Sequence, residues 1–155
     1  MRAPLSALRL LAALLFALAS AAALAGAQQY EPLAASVRAA LHEAVSDAVA
    51  PTLPITDAGE RARWLAEMSR RLQKRLPDAN YRAELLTSIH YEATRAGLDP
   101  QLVLGLIQVE SNFRKYAISS ASARGYMQVM PFWLKVMNRP DDNLFHLRTN
   151  LRYGC

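Results

Sequence analysis

The chain has 155 residues, 52% of them hydrophobic, with 18 basic and 13 acidic side chains and a formal net charge of +5. That length allows one ordinary domain, and the charge supports only a modest claim about partners, nucleic acid being a poor candidate given the export signal read below. The single Cys155 excludes an internal disulfide framework. His42, His90 and His146 lie far apart without ligand spacing, so neither a zinc site nor any other metal or cofactor is expected.

In chain order, Arg2 and Arg9 precede the apolar run LLAALLFALASAAALAGA, which ends in the small residues Ala25, Gly26 and Ala27. This is the pattern of a cleaved export signal, predicting a signal peptide over 1–27, a mature chain from Gln28 and a periplasmic or otherwise exported protein. The competing reading is an uncleaved anchor, since the run approaches the roughly 18 residues that span a bilayer. The alanine-rich end favours cleavage, and with it no membrane span in the mature chain. No cysteine follows the run to carry a lipid. Loss of Arg2 and Arg9 leaves a charge of +3, because residues 1–27 contain no acid.

From 28 to 98 the pattern is helical. Pro32 is expected to open a helix carrying Leu33, Val37, Leu41, Val45 and Val49, ended by the Pro51–Pro54 linker. Asp57 with Glu60 resembles a capping box for a helix with the stripe Trp64, Leu65, Met68, Leu72 and Leu76. Pro77 and Asp78 start a third, containing Leu85, Leu86, Ile89 and Ala93 and stopped by Gly97. The basic residues between Arg61 and Arg82 are interleaved with Glu60, Glu67 and Asp78, which reads as a solvated face with weak attraction to an anionic cell wall.

Asp99 and Pro100 then provide an N-cap and first turn for LVLGLIQVE. Counting back from Glu110 gives Ile107, Leu106 and Val103, whereas Gln101, Gly105 and Gln108 form a separate polar stripe. Glu110 is therefore expected on the apolar, buried face, at the helix end where the macrodipole also disfavours negative charge. A carboxylate so placed holds its proton more readily than a free one and is a candidate for acid chemistry.

Beyond Glu110 runs ESNFRKYAISSASARGYMQVMP, with little periodic pattern, then a short helix with Trp133, Val136 and Met137, the Pro140 turn, and HLRTNLRYGC. The segment resembles the signature of the lytic transglycosylases related to goose-type lysozyme. Glu110 and Ser111 match its opening Glu-Ser and Phe113 its aromatic, with Ala117, Ser119, Ala123, Gly125, Met127, Gln128, Met130 and Pro131 following. Asn150 and Gly154 match the family's later motif. Two positions depart from it: Ser122 stands where the family usually has Gly, and Tyr126 where it usually has Leu. A positive φ at Ser122 would strain the loop, and Tyr126 would change the lining of the cleft.

The resemblance implies an all-α, lysozyme-like domain, here the part 99–155, and cleavage of the β-1,4 bond between N-acetylmuramic acid and N-acetylglucosamine in peptidoglycan. Glu110 would be the single acid and base, giving a 1,6-anhydro product. Ser111 would hydrogen-bond Glu110 or the sugar, Gln128 an N-acetyl or hydroxyl group, and Met127 would form an apolar wall, with Tyr126 and Asn150 completing the substrate-binding set. Ordinary glycosidases use a second carboxylate about 5 to 9.5 Å from the first. After Glu110 only Asp141 and Asp142 are acidic, and NRPDDN reads as a solvated turn. A one-acid reaction fits better, with lysozyme-type hydrolysis left open. HLRTNLRYGC stops within the later motif, so the expectation is a domain truncated at its C-terminus. The alternative to an enzyme is a peptidoglycan-binding module without turnover.

Overall fold

The computed structural model describes residues 32–46, 55 and 57–155. By contact pattern the chain divides into Met1–Glu31 and Pro32–Cys155, and everything that follows concerns the second unit. The export signal and Val49 lie outside the described residues. Six helices make up the described part: α1 (Ala35–Val45), α2 (Ala58–Leu72), α3 (Ala79–Arg95), α4 (Pro100–Glu110), α5 (Phe132–Val136) and α6 (Leu147–Gly154). There is no strand among the described residues, only two isolated antiparallel bridges, Ile118 with Arg124 and Arg124 with Val129. The fold is all-α.

Local chemistry explains where three of the helices begin. The Asp57 carboxylate accepts the Glu60 N–H, Asp78 accepts from Asn80 and Tyr81, and Asp99 accepts from Gln101 with Pro100 following it. Each cap satisfies N–H groups that have no partner inside the helix. Gly97, at φ +72, lets the chain leave α3 in the left-handed region. At α1 the helix begins at Ala35, three residues beyond Pro32, and Val37 is exposed, so only Val45 of its stripe is fully covered.

α3 is the central element, packed against α2, α4 and α6. Its Leu85, Leu86, Ile89 and Ala93 are wholly excluded from solvent and meet Met68 and Leu72 of α2, Val103 and Ile107 of α4, and Leu147 and Leu151 of α6. Full burial of each large aliphatic contributes about 1.5–3 kcal/mol, so this stripe is the main stabilising feature. Arg82 departs from the solvated face expected of the basic region. It is 7% exposed and donates to Ser69 Oγ and to the carbonyls of Leu76 and Pro77, closing the turn between α2 and α3.

A second departure is Glu92, whose side chain is completely buried. Its carboxylate accepts from Arg95 at 3.1 Å, Arg148 at 2.9 Å and Arg152 at 3.1 Å. Arg95 and Arg152 also donate to the carbonyls of Ala44 and Val45, tying α1 to the same cluster. His42 Nδ1–H donates to the Met137 carbonyl at 2.6 Å, which adds a link from α1 to the end of α5.

Candidate active site

Glu110 is the last residue of α4, as its position after LVLGLIQV predicted, but it is exposed. Among the described residues it makes no hydrogen bond or ion pair. The expected burial fails for a geometrical reason. The stripe that meets α3 is Val103, Ile107 and then Ser111, which is 1% exposed. Leu102 and Val109, 63% and 83% exposed, flank Glu110 on an open side shared with Leu106. α4 carries more apolar residues than one packing partner can cover, so hydropathy alone pointed to the wrong face. The polar stripe Gln101, Gly105 and Gln108 is exposed, as its spacing predicted, and borders a surface groove of about 180 Å³ with Met68, Arg71, Leu72, Leu104 and Phe113.

Ser111 ends the helix. Its N–H and Oγ–H both go to the Ile107 carbonyl, each at 3.1 Å, so the hydroxyl serves the helix terminus and not Glu110. Asn112 and Phe113 follow at φ +49 and +60, two left-handed residues in succession. Arg114 Nε–H donates back to the Ser111 carbonyl at 3.0 Å. The chain is thereby turned sharply just past the carboxylate.

The loop to Pro131 lacks helical periodicity because it is held as a small antiparallel fold. Arg124 and Val129 exchange both backbone hydrogen bonds, at 2.9 and 3.0 Å, Gly125 N–H donates to Ala117 at 2.9 Å, and Ser119 Oγ accepts from Ala123 N–H at 3.1 Å. Ser122 does adopt a positive φ, +68, as its place in the motif warned. Gln128, at φ +49, uses its side-chain amide nitrogen on the carbonyls of Gly125 at 2.9 Å and Ala117 at 3.3 Å. Its Oε1 has no partner among the described residues.

Three of the residues expected to bind substrate, Asn150, Met127 and Tyr126, lie buried in this arrangement. Asn150 is 1% exposed; its Oδ1 accepts from Met127 N–H at 2.8 Å, and Nδ2 donates to the Arg124 and Leu144 carbonyls at 2.8 Å each. The amide is fully used in holding the loop down. Met127 is 7% exposed and lies against Gly154, where an added Cβ would stand 2.5 Å from the Met127 Cβ. Tyr126 is buried too, its hydroxyl sharing a 2.7 Å hydrogen bond with Tyr81, so it lines the core beneath the loop and not an open cleft. Burial, with the Tyr81 bond behind it, pushes the Tyr126 phenol far above its ordinary range. Gly125 is required twice over: φ is +75, and a Cβ would come within 2.4 Å of Asn150 Nδ2.

Of the two acids after Glu110, Asp141 is exposed and makes no hydrogen bond or ion pair among the described residues. Asp142 is not free in a solvated turn, since Arg139 donates to its two oxygens at 2.6 and 3.1 Å and the Tyr153 hydroxyl donates at 2.9 Å. The Arg139 hydrogen bond holds the Asp142 carboxyl below its usual range, and burial followed by the Asp142 contact pushes the Tyr153 phenol up. Arg75 and Tyr81 gave no signal in the sequence, because each finds its partner dozens of residues away, as Glu92 finds Arg148 and Arg152.

A helical domain that presents an unpaired carboxylate at a helix end, beside a loop stapled to a later helix, is consistent with the all-α, lysozyme-like class that the motif implied. Residues 87–155 match the family model described as Transglycosylase SLT domain. The chain is similar to the membrane-bound lytic murein transglycosylase C of Mannheimia succiniciproducens, 49% identical over 53 residues, which are 34% of this chain and 15% of that protein. It is similar also to the proteins of that name from Haemophilus influenzae strain PittEE, 52% identical over 46 residues (30% and 13%), and Actinobacillus pleuropneumoniae serotype 5b, 46% over 48 residues (31% and 13%). The matched stretch thus spans about one-seventh of the length of these relatives. No solved structure matches the chain.

Proposed function

We propose that this chain acts on peptidoglycan as an exported lytic transglycosylase, cleaving the MurNAc-β-1,4-GlcNAc bond with Glu110 as sole acid and base. The observation that carries the reading is the SLT match over 87–155, within which Glu110 stands exposed and unpaired at the end of α4. An exposed carboxylate with no internal partner is available to a ligand.

In the first step the protonated Glu110 carboxyl gives its proton to the glycosidic oxygen as the bond from that oxygen to the muramic acid C1 breaks. The resulting carboxylate then takes the proton of the C6 hydroxyl while O6 attacks C1, closing the 1,6-anhydro ring. No water is consumed, and Glu110 ends protonated as it began. A glycan strand lying along Leu106 and Val109 would shield the carboxylate from water, which the described residues leave open to it. Gln128 Oε1 would accept from an N-acetyl N–H. Ser111, Tyr126, Met127 and Asn150 support these two groups from below. Export rests on residues 1–27 alone.

A second reading, a glycan-binding module without turnover, is favoured by the same open side of α4, which leaves Glu110 in water. Digestion of purified sacculi separates the two. Anhydromuropeptides by mass spectrometry, lost by at least a hundredfold in Glu110→Gln, support the enzyme. Products with free reducing ends would identify a lysozyme-type hydrolase, and sacculus binding with no product would identify the module.

A further inference from the structure

Residues before 87 lie outside the family match, yet two of their side chains reach the two ends of the loop that separates Glu110 from Gln128. At one end Arg75, in the turn after α2, donates Nε–H to Asn112 Oδ1 at 2.9 Å. Asn112 and Phe113 occupy the left-handed region at φ +49 and +60, a conformation that persists only where the surroundings over-determine it. Phe113, 5% exposed, is held on the same side by the core cluster that includes Met68 and Leu72 of α2. At the other end Tyr81, in the first turn of α3, shares a 2.7 Å hydrogen bond with Tyr126. Tyr126 lies two residues before Gln128, which is itself at φ +49.

The first contact falls at a left-handed residue and the second two residues from one, and both bridge long sequence separations, 37 and 45 residues. The Arg75–Asn112 bond is exposed, so it is a weak contributor to global stability. Its effect is on a local opening of the turn. Tyr126 is also where this chain departs from the Leu usual at that place in the motif, and the departure is matched by a phenol partner outside the matched segment.

We propose that Arg75 and Tyr81 are positioning residues that hold the two ends of the 110–128 loop and so fix Glu110 relative to Gln128. The region 58–86 is then a splint for the site and not a spacer. The proposal rests on the reading of Glu110 as the reacting acid, and its test is arranged to fail separately from that reading.

The full chain is compared with Arg75→Ala, Arg75→Lys, Tyr81→Phe and Asn112→Gly by thermal melting, amide hydrogen exchange and steady-state cleavage of sacculi. In Arg75→Ala the amides of Asn112 and Arg114, bonded to the Gln108 and Ser111 carbonyls, exchange roughly tenfold faster while those of α3 are unchanged. In Tyr81→Phe the amides of Gln128 and Val129 respond in the same way. kcat falls about threefold to tenfold in each, the scale of one hydrogen bond, with KM unchanged. Arg75→Lys restores part of the loss, and Asn112→Gly, which adopts the left-handed turn freely, makes activity insensitive to Arg75→Ala. Unchanged exchange at these amides, or faster exchange spread evenly over all helices, overturns the proposal. If the wild-type chain cleaves nothing, the functional reading fails by itself, while exchange at Asn112 and Arg114 still decides whether Arg75 holds the turn.

Discussion

Asn150 of α6 accepts the backbone N–H of Met127 at 2.8 Å, across 23 residues of sequence, and so fastens the loop that follows Glu110 to the last helix. The same amide satisfies the Arg124 and Leu144 carbonyls, and all of this occurs in a residue with 1% of its surface exposed.

Asn150→Ala leaves the Met127 N–H and the Leu144 carbonyl without a partner, while the Arg124 carbonyl keeps the Val129 N–H, at about 1–3 kcal/mol for each group left unsatisfied after relaxation. The expected loss is roughly 3 kcal/mol by chemical denaturation, with faster amide exchange at Met127. Asn150→Asp repairs only the Met127 bond and turns a charged oxygen toward two carbonyls, so it should do no better. A loss below about 0.5 kcal/mol for the alanine variant would show that the clamp does not hold the loop.

Glu92→Gln removes the one carboxylate that serves Arg95, Arg148 and Arg152 in a fully buried position. Breaking a buried pair from one side typically costs about 3–5 kcal/mol, because the remaining charge stays buried. Glu67→Gln is the contrast. The hydrogen bonds from Arg70 and then Arg71 bring the Glu67 carboxyl down to about 2, but the group is in open water, where solvent screens such pairs. Melting curves should show a large drop for the first variant and almost none for the second, and added salt should leave the first difference intact.

The contacts of Asp142 make one part of the stability depend on pH. Its folded-state pKa lies below the ordinary 3.8 because Arg139, and then Tyr153, donate to the carboxylate. A group of this kind stabilises the fold fully above its unfolded value and loses that contribution as pH falls through the lower folded value. Wild type should therefore melt above Asp142→Asn at pH 6, by about 1 kcal/mol, and the two curves should converge as pH drops below 3.8. A gap that stays constant down to pH 2 would mean that the difference comes from packing.

Ser122 sits at φ +68 in an exposed stretch of the loop. Ser122→Gly relieves left-handed strain of about 1 kcal/mol while adding roughly 0.4–1 kcal/mol of unfolded-chain freedom. Stability should be unchanged or raised by up to about 0.6 kcal/mol, measured by urea denaturation. A clear loss would show that the serine side chain supports the loop in a way its backbone angle conceals.

These outcomes divide along what the sequence makes legible. The caps at Asp57, Asp78 and Asp99 were readable because each bond closes within two or three residues. The α3 stripe of Leu85, Leu86, Ile89 and Ala93 was readable because helical spacing alone puts those residues together. The motif from Glu110 to Pro131 was readable as a pattern, including the strain at Ser122, since its residue types and order are local facts.

Burial was not readable, because it is a relation between distant segments. Glu110 was expected under cover and stands exposed, since α4 is apolar on more sides than α3 can reach. Tyr126 and Asn150 were expected to face substrate and lie beneath the loop, because Tyr81 and the Arg124, Met127 and Leu144 backbones take up their polar atoms. By itself the sequence determined the helices, their caps and the order of the reactive motif, all set by neighbours within a turn or two. Only the tertiary structure decided which polar groups meet water and which are spent on holding the loop, since that depends on which helix packs over which.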